Sequence, residues 1–223
     1  MQWKVSFITK CYAKDDECIT NSTNAAIPVF TAGVPEYGVE TLDPVTFETI
    51  DSSAPNLKLM LDSITLKGLR NCIATKAHRD DSNSRLLLTI QCNATLDGHY
   101  TMSGQLLMLS IEGNGKVHVY LNEASFDVIL NVKDVQEKDG KNHWDVRSWS
   151  YKYQLIGKSN VRFENLFNGN KILSKAVEAV IADNGNEIIS TVGSPVIKTV
   201  VVRIINTIRP FFLAVPTENL SFD

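Results

Sequence analysis

From Leu57 to Leu155 the apolar side chains recur at a period of two, and no helical pattern interrupts them. Leu57, Leu59 and Leu61 alternate with Lys58 and Asp62. The apolar phase then slips to Ile64 and Leu66, which requires a bulge near Asp62-Ser63. Leu86, Leu88, Ile90, Cys92, Ala94 and Leu96 continue the alternation after a polar turn at Arg79–Arg85. Leu106 to Leu109 is apolar on both faces. Phe126, Val128, Leu130 and Val132 form a further face, and Trp149, Tyr151, Tyr153 and Leu155 another. Asn114-Gly115 and Asp139-Gly140 are hairpin turn signals. No strand is followed by a crossover helix, so a doubly wound parallel sheet is excluded. Long antiparallel strands with bulges twist and curve strongly.

The partner for such a sheet lies at the other end of the chain. Between Val196 and Val215, the residues Ile197, Val200, Val201, Ile204, Ile205 and Ile208 fall in one arc at about 100° per residue. Lys198, Thr199, Arg203, Asn206 and Arg209 fill the opposite side. Pro195 suits the first helical turn, and Pro216 marks a stop. The regular charges argue against a membrane span, which needs about 20 nearly uncharged residues. A helix with so wide an apolar face is a core helix with something large wrapped against it. Ahead of it, Ile172, Leu173, Ala176, Val177, Val180 and Ile181 give a second amphipathic helix, broken at Asn184-Gly185.

At the start of the chain, a helix is expected over about Asp16 to Thr31, with Ile19, Thr23, Ala26, Ile27 and Phe30 on one face. Gly33 is its cap candidate, and Pro28 is expected to kink it or end it early. A turn-rich connector, Val34-Pro35-Glu36-Tyr37-Gly38, leads to Leu42-Asp43-Pro44. The order helix, antiparallel meander, then helices defines an α+β fold. Its long curved antiparallel β-sheet wraps around a long C-terminal helix, in one domain over residues 1–223.

The four cysteines are Cys11, Cys18, Cys72 and Cys92, with no C-x-x-C spacing, so zinc and thioredoxin-type chemistry lack support. Cys11 and Cys18 either close a small disulfide loop or are free thiols. If Arg79 pairs with Arg85 across the polar turn, Cys72 and Cys92 fall opposite each other. That placement fits either a cross-strand disulfide or two adjacent buried thiols. Sequons at Asn21, Asn93 and Asn219 tilt the balance toward secretion. The apolar run Val5 to Ile8 is too short for a signal peptide, so a secreted form has already lost its leader.

The net charge of −3 comes without a basic patch, which argues against nucleic acid. Nor is there a lipidation or polybasic signal for membrane attachment. His78, His99, His118 and His143 show no metal-ligand spacing, and no cofactor motif is present. His78 and His143 flank turns, where solvated side chains are usual. No G-x-S-x-G elbow supports a nucleophile. Gly113-Asn114-Gly115-Lys116 reads as a turn rather than a phosphate loop. What remains is an apolar surplus, either densely packed or lining an elongated cavity between sheet and helix.

Three segments carry a family resemblance. The first is Cys11…Cys18 with Pro28, Gly33, Pro35-Glu36, Gly38 and Leu42-Asp43-Pro44. The second is Gly98-His99-Tyr100, Gly104, Leu107, Leu109, Gly113 and Gly115. The third is Phe163…Asn165-Leu166-Phe167-Asn168-Gly169-Asn170-Lys171…Leu173, followed by the apolar helix and Ala214-Val215-Pro216. In this order the chain resembles the insect takeout and haemolymph juvenile hormone binding protein family. The resemblance implies a secreted carrier with a hydrophobic tunnel for a terpenoid, fatty acid or similar lipid, and a disulfide between Cys11 and Cys18. A monomer is the expected state, with the sequence itself leaving oligomerisation open. Ser110 stands where that family has proline, no cysteine follows Cys92, and the strand Phe126 to Lys133 has no tyrosine. These departures point to the takeout-like branch.

The expected lining is Leu88, Ile90, Leu106, Met108, Phe126, Val128, Leu130, Trp149, Tyr151, Ile197, Val201, Ile204 and Ile208, with ordinary core packing as the competing role for each. The expected function is sequestration of an elongated apolar small molecule, with no enzyme activity. The alternative is a secreted interaction protein on the same fold, with a packed core and no ligand.

Overall fold

The computed structural model describes residues 5–223, the side chain of Asn83 excepted. A helix, α1 (Asp16–Ala32), precedes seven strands: β1 (Val45–Asp51), β2 (Leu57–Lys67), β3 (Ile73–Asp80), β4 (Arg85–Leu106), β5 (Leu109–Gln136), β6 (Asn142–Leu155) and β7 (Asn160–Phe163). Three helices follow: α2 (Lys171–Asp183), α3 (Gly185–Val192) and α4 (Ser194–Ala214). The strands form one antiparallel sheet in the order β1-β2-β4-β5-β6. β3 lies against β4 beyond the end of β2, and β7 lies against β5 beyond the end of β6.

The β4–β5 ribbon is the backbone of the architecture. β5 has 28 residues, which at ~3.3 Å per residue would run roughly 90 Å if straight. That is far longer than a compact chain of this size, so the ribbon must coil. Register shifts supply the bends. They fall at Asp62/Thr65, where Ser63 has φ 52°, at Ala74/Lys76, at Cys92/Ala94 and at Asn131/Val132.

The expected hairpin at Asn114-Gly115 is not there. The tight turn is Leu107-Met108, with φ of 49° and 66°, and Leu106 pairs with Leu109 across it. Asn114 and Gly115 lie inside β5, opposite Thr101 and Tyr100. Gly115 and the neighbouring Gly113 serve close approach instead. A Cβ on Gly115 would collide with the main-chain oxygen of Glu164, and one on Gly113 with the Tyr100 hydroxyl. The Asn165 side-chain amide donates to the Asn114 carbonyl at 2.8 Å. The second and third family-like segments therefore dock on each other.

Cys72 and Cys92 are bonded, with Cα atoms 4.3 Å apart, and Cys11 is bonded to Cys18. The register that placed the first pair was wrong at the turn. Arg79 faces Leu86 rather than Arg85, and the extra residue at the Ala74/Lys76 bulge restores the alignment by Ile73↔Gln91.

α1 runs through Pro28 without ending, to a cap at Gly33 with φ 92°. It covers the free edge of β3, which would otherwise expose unpaired backbone groups. Asn24 exchanges two hydrogen bonds with the Ala74 backbone, at 2.8 and 2.9 Å, and Thr20 Oγ1 accepts from Ala77 N–H at 2.9 Å. The Asp43 carboxylate accepts from Gly68 and Arg70 N–H groups, tying the connector to the loop before β3. In α2 only Ile181 is buried, while Ile172 and Leu173 are exposed, so that helix covers the sheet with its C-terminal half. His143, expected in solvent, is buried and contacts Asp139 at 3.1 Å.

Candidate ligand cavity

A cavity of about 410 Å³ lies between the sheet and α1, α3 and α4. Six alternate residues of β4 line it in one lane: Leu86, Leu88, Ile90, Cys92, Ala94 and Leu96. This lane extends roughly 30 Å at the ordinary strand rise. A parallel lane on β5 pairs with it through Leu130, Val128, Phe126, Leu121 and Val119. Glu123, with φ 45°, sits in the bulge that lets the β5 lane change from even to odd positions.

α4 closes the cavity with Val196, Ile197, Val200, Val201, Ile204, Ile205 and Ile208. Its charged residues turn outward. Arg209 meets the buried Asp145 of β6 at 2.8 Å, and Arg203 meets Glu40 at 3.1 Å. Leu88, Ile90, Phe126, Val128 and Ile204 are only half-buried although they face inward. That pattern is what an interior space produces, since close packing would bury them fully.

Nine of the thirteen residues read from the sequence lie on this wall: Leu88, Ile90, Phe126, Val128, Leu130, Ile197, Val201, Ile204 and Ile208. Four do not. Met108 is 94% exposed, because it is the turn itself. Leu106 is buried in solid core next to that turn. Trp149 and Tyr151 pair with Leu130 and Val128, so their face is the inner one. They lie one strand too far round and pack on Val201 and Ile205 beside the cavity.

The sequence reading missed the α1 wall, Ile19, Thr23, Ala26, Ile27 and Phe30, although it placed these residues on one face. It also missed the outer β5 lane, Val117 to Leu121, whose phase is hidden by the bulge.

The polar side chains on the wall are few. Ser22 Oγ accepts from Thr9 N–H at 3.0 Å, and Thr23 and Thr31 donate back to Ile19 and Ile27 carbonyls at 2.8 and 2.9 Å. Ser52 donates to the Val192 carbonyl. The charged side chain among the described wall residues is Arg79. Arg79, Leu86 and Trp144 also line an adjacent polar pocket of about 760 Å³. No group of three or more His, Cys, Asp or Glu is placed to hold a metal among the described residues. No single described helix is long and apolar enough to cross a membrane. The pair α3 and α4 has the length and composition but bends by 69° between them.

An antiparallel sheet wrapped over helices around an apolar cavity defines a class of hydrophobic-ligand-binding proteins. The same architecture is seen in the crystal structure of Takeout 1 from Epiphyas postvittana, with a TM-score of 0.93 and 25% identity, covering 97% of this chain and all of that one. The family model for haemolymph juvenile hormone binding protein matches residues 2–221, and the chain belongs to that family. It is 25% identical to the circadian clock-controlled protein daywake of Drosophila melanogaster, over 78% of this chain and 71% of the relative. It is 26% identical to a putative beta-carotene-binding protein of Schistocerca gregaria, over 49% of this chain and 45% of that protein.

Proposed function

We propose that this protein is a secreted, non-enzymatic carrier that sequesters an elongated apolar small molecule, a terpenoid, fatty acid or other lipid, in the cavity under α4. The observation that carries this is the pair of apolar lanes on β4 and β5 facing the apolar stripe of α4 across about 410 Å³. Transfer of apolar area from water contributes about 25 cal/mol per Å², reduced by the cost of immobilising the ligand. Membership of the haemolymph juvenile hormone binding protein family and the putative beta-carotene-binding relative support the reading, and so do the two disulfides, which form in oxidising compartments. The cavity counts against a packed interaction protein on the same fold.

Native mass spectrometry of the purified protein tests this, followed by solvent extraction and reloading with fluorescent fatty acids and isoprenoids. The expected result is one apolar molecule per chain. A protein that is clean as isolated and takes up neither class would overturn the proposal.

A further inference from the structure

We propose that the preferred ligand is a long-chain carboxylic acid, and that Arg79 receives its carboxylate in exchange for the side chain of Asp223. This rests on the carrier function proposed above and adds the head group to it.

Arg79 lies at the end of β3, and its side chain is 10% exposed. Its Nε donates to Asp81 at 2.8 Å, its Nη1 to Ser221 Oγ, and its Nη2 to the Asp223 carboxylate. The guanidinium sits 5.7 Å from the centre of the Trp144 ring. Asp81 and Asp223 are 53% and 43% exposed. The cation is therefore inside, at the junction of the apolar cavity and the polar pocket, while its anions sit on the water side. A buried cation keeps its stability only while an anion stays with it. A ligand carboxylate supplies the same charge and the same paired hydrogen bonds, so Asp223 can leave without stranding Arg79. A neutral ester, alcohol or hydrocarbon offers no such exchange.

The register supplies the rest of the path. Arg79 pairs with Leu86 across the ladder, and Leu86 begins the β4 lane that continues through Leu88 and Ile90. A carboxylate on Arg79 therefore starts its chain on the apolar lane. The wall hydroxyls of Thr23, Thr31 and Ser52 are bonded to backbone carbonyls and do not compete for the head group.

The test compares palmitic acid with methyl palmitate by calorimetry at pH 7.4, on the wild type, Arg79→Gln, Arg79→Lys and Asp223→Asn. The wild type should bind the acid roughly ten- to a hundredfold more tightly than the ester, the range expected of a charge-assisted pair. Arg79→Gln should bring the acid down to the ester's level, with Arg79→Lys in between. Asp223→Asn should tighten the acid, because its internal competitor is gone. Equal binding of acid and ester by the wild type would overturn the proposal. So would equal weakening of both by Arg79→Gln, or weaker acid binding by Asp223→Asn. A folded protein that binds neither compound but takes up a fluorescent isoprenoid would overturn this proposal and leave the carrier function standing, whereas one that takes up no isoprenoid either would overturn the carrier function itself.

Discussion

The two ends of the β4–β5 ribbon share one alternating pattern and use it differently. At the turn end, Tyr100, Met102, Leu106 and Ile111 are 1–3% exposed and close-packed. At the other end, Leu88, Ile90, Phe126 and Val128 point the same way yet keep contact with empty space. The difference lies in what covers each end. The turn end is covered by chain that reaches in and fits, with the Tyr100 ring edge-on to Phe163 at 4.8 Å and its hydroxyl donating to the Glu164 carbonyl at 2.8 Å. The far end is spanned by α1 and α4, two smooth cylinders whose branched side chains do not fill the hollow of a curved sheet. A single strand pattern thus makes a solid anchor at one end and a cavity at the other.

If that contrast is right, truncations at the two ends should differ sharply. Tyr100→Ala should cost about 3–5 kcal/mol, since it opens a void in a packed region. Leu88→Ala only enlarges an existing space and should cost about 1–2 kcal/mol, mostly lost transfer free energy. Urea unfolding of both variants measures this, and equal costs would erase the distinction between the ends. Replacing Cys72 and Cys92 together by alanine should cost about 3 kcal/mol, because the bridge closes a loop of 20 residues.

Alkaline pH probes the packed end most strongly, although burial also raises the phenols of Tyr37 and Tyr151. Burial pushes the Tyr100 phenol up to about 12, whereas an unfolded tyrosine titrates near ~10. Between these values the unfolded chain has lost a proton that the folded chain retains. The contribution is therefore complete below about pH 10 and is lost as pH rises toward 12, to a total of about 2–3 kcal/mol. Tyr100→Phe should lose about 1 kcal/mol for the missing hydrogen bond at neutral pH. It should also show a shallower decline above pH 10 than the wild type, in paired unfolding curves.

The contrast between the ends also separates what could be read in the sequence from what could not. Strand faces and the α4 stripe follow from period and burial, which local sequence states directly, and so Leu88, Phe126 and Ile204 came out on the wall. Register did not follow. Asn114-Gly115 carries a strong turn signal, but Gly115 answers to Glu164 and the neighbouring Gly113 to Tyr100, contacts that only the fold creates. Met108 reads as a strand residue because nothing in Leu106 to Leu109 marks a turn, which rests instead on two non-glycine residues at positive φ. The β5 phase change at Glu123 concealed Val119 and Leu121 for the same reason: a bulge is a property of the pair of strands, not of either one. Arg79 read as part of a polar turn, and its place on the wall needed the chain near Asp223 to return beside it.

The smallest expected change in stability carries the sharpest test of the empty end. Leu88→Trp adds bulk to a wall that faces open space, and tryptophan suits a strand. Its cost should stay under about 1 kcal/mol, while Met102→Trp at the packed end should cost about 1–3 kcal/mol through overpacking. Binding should invert that order. Leu88→Trp fills part of the lane between Leu86 and Ile90 and should abolish uptake of a fluorescent acyl chain, whereas Met102→Trp, where it folds, should retain uptake because Met102 does not reach the cavity wall. Titration of both variants with one probe, alongside their urea midpoints, decides whether the hollow that the sheet leaves is the place where the ligand goes.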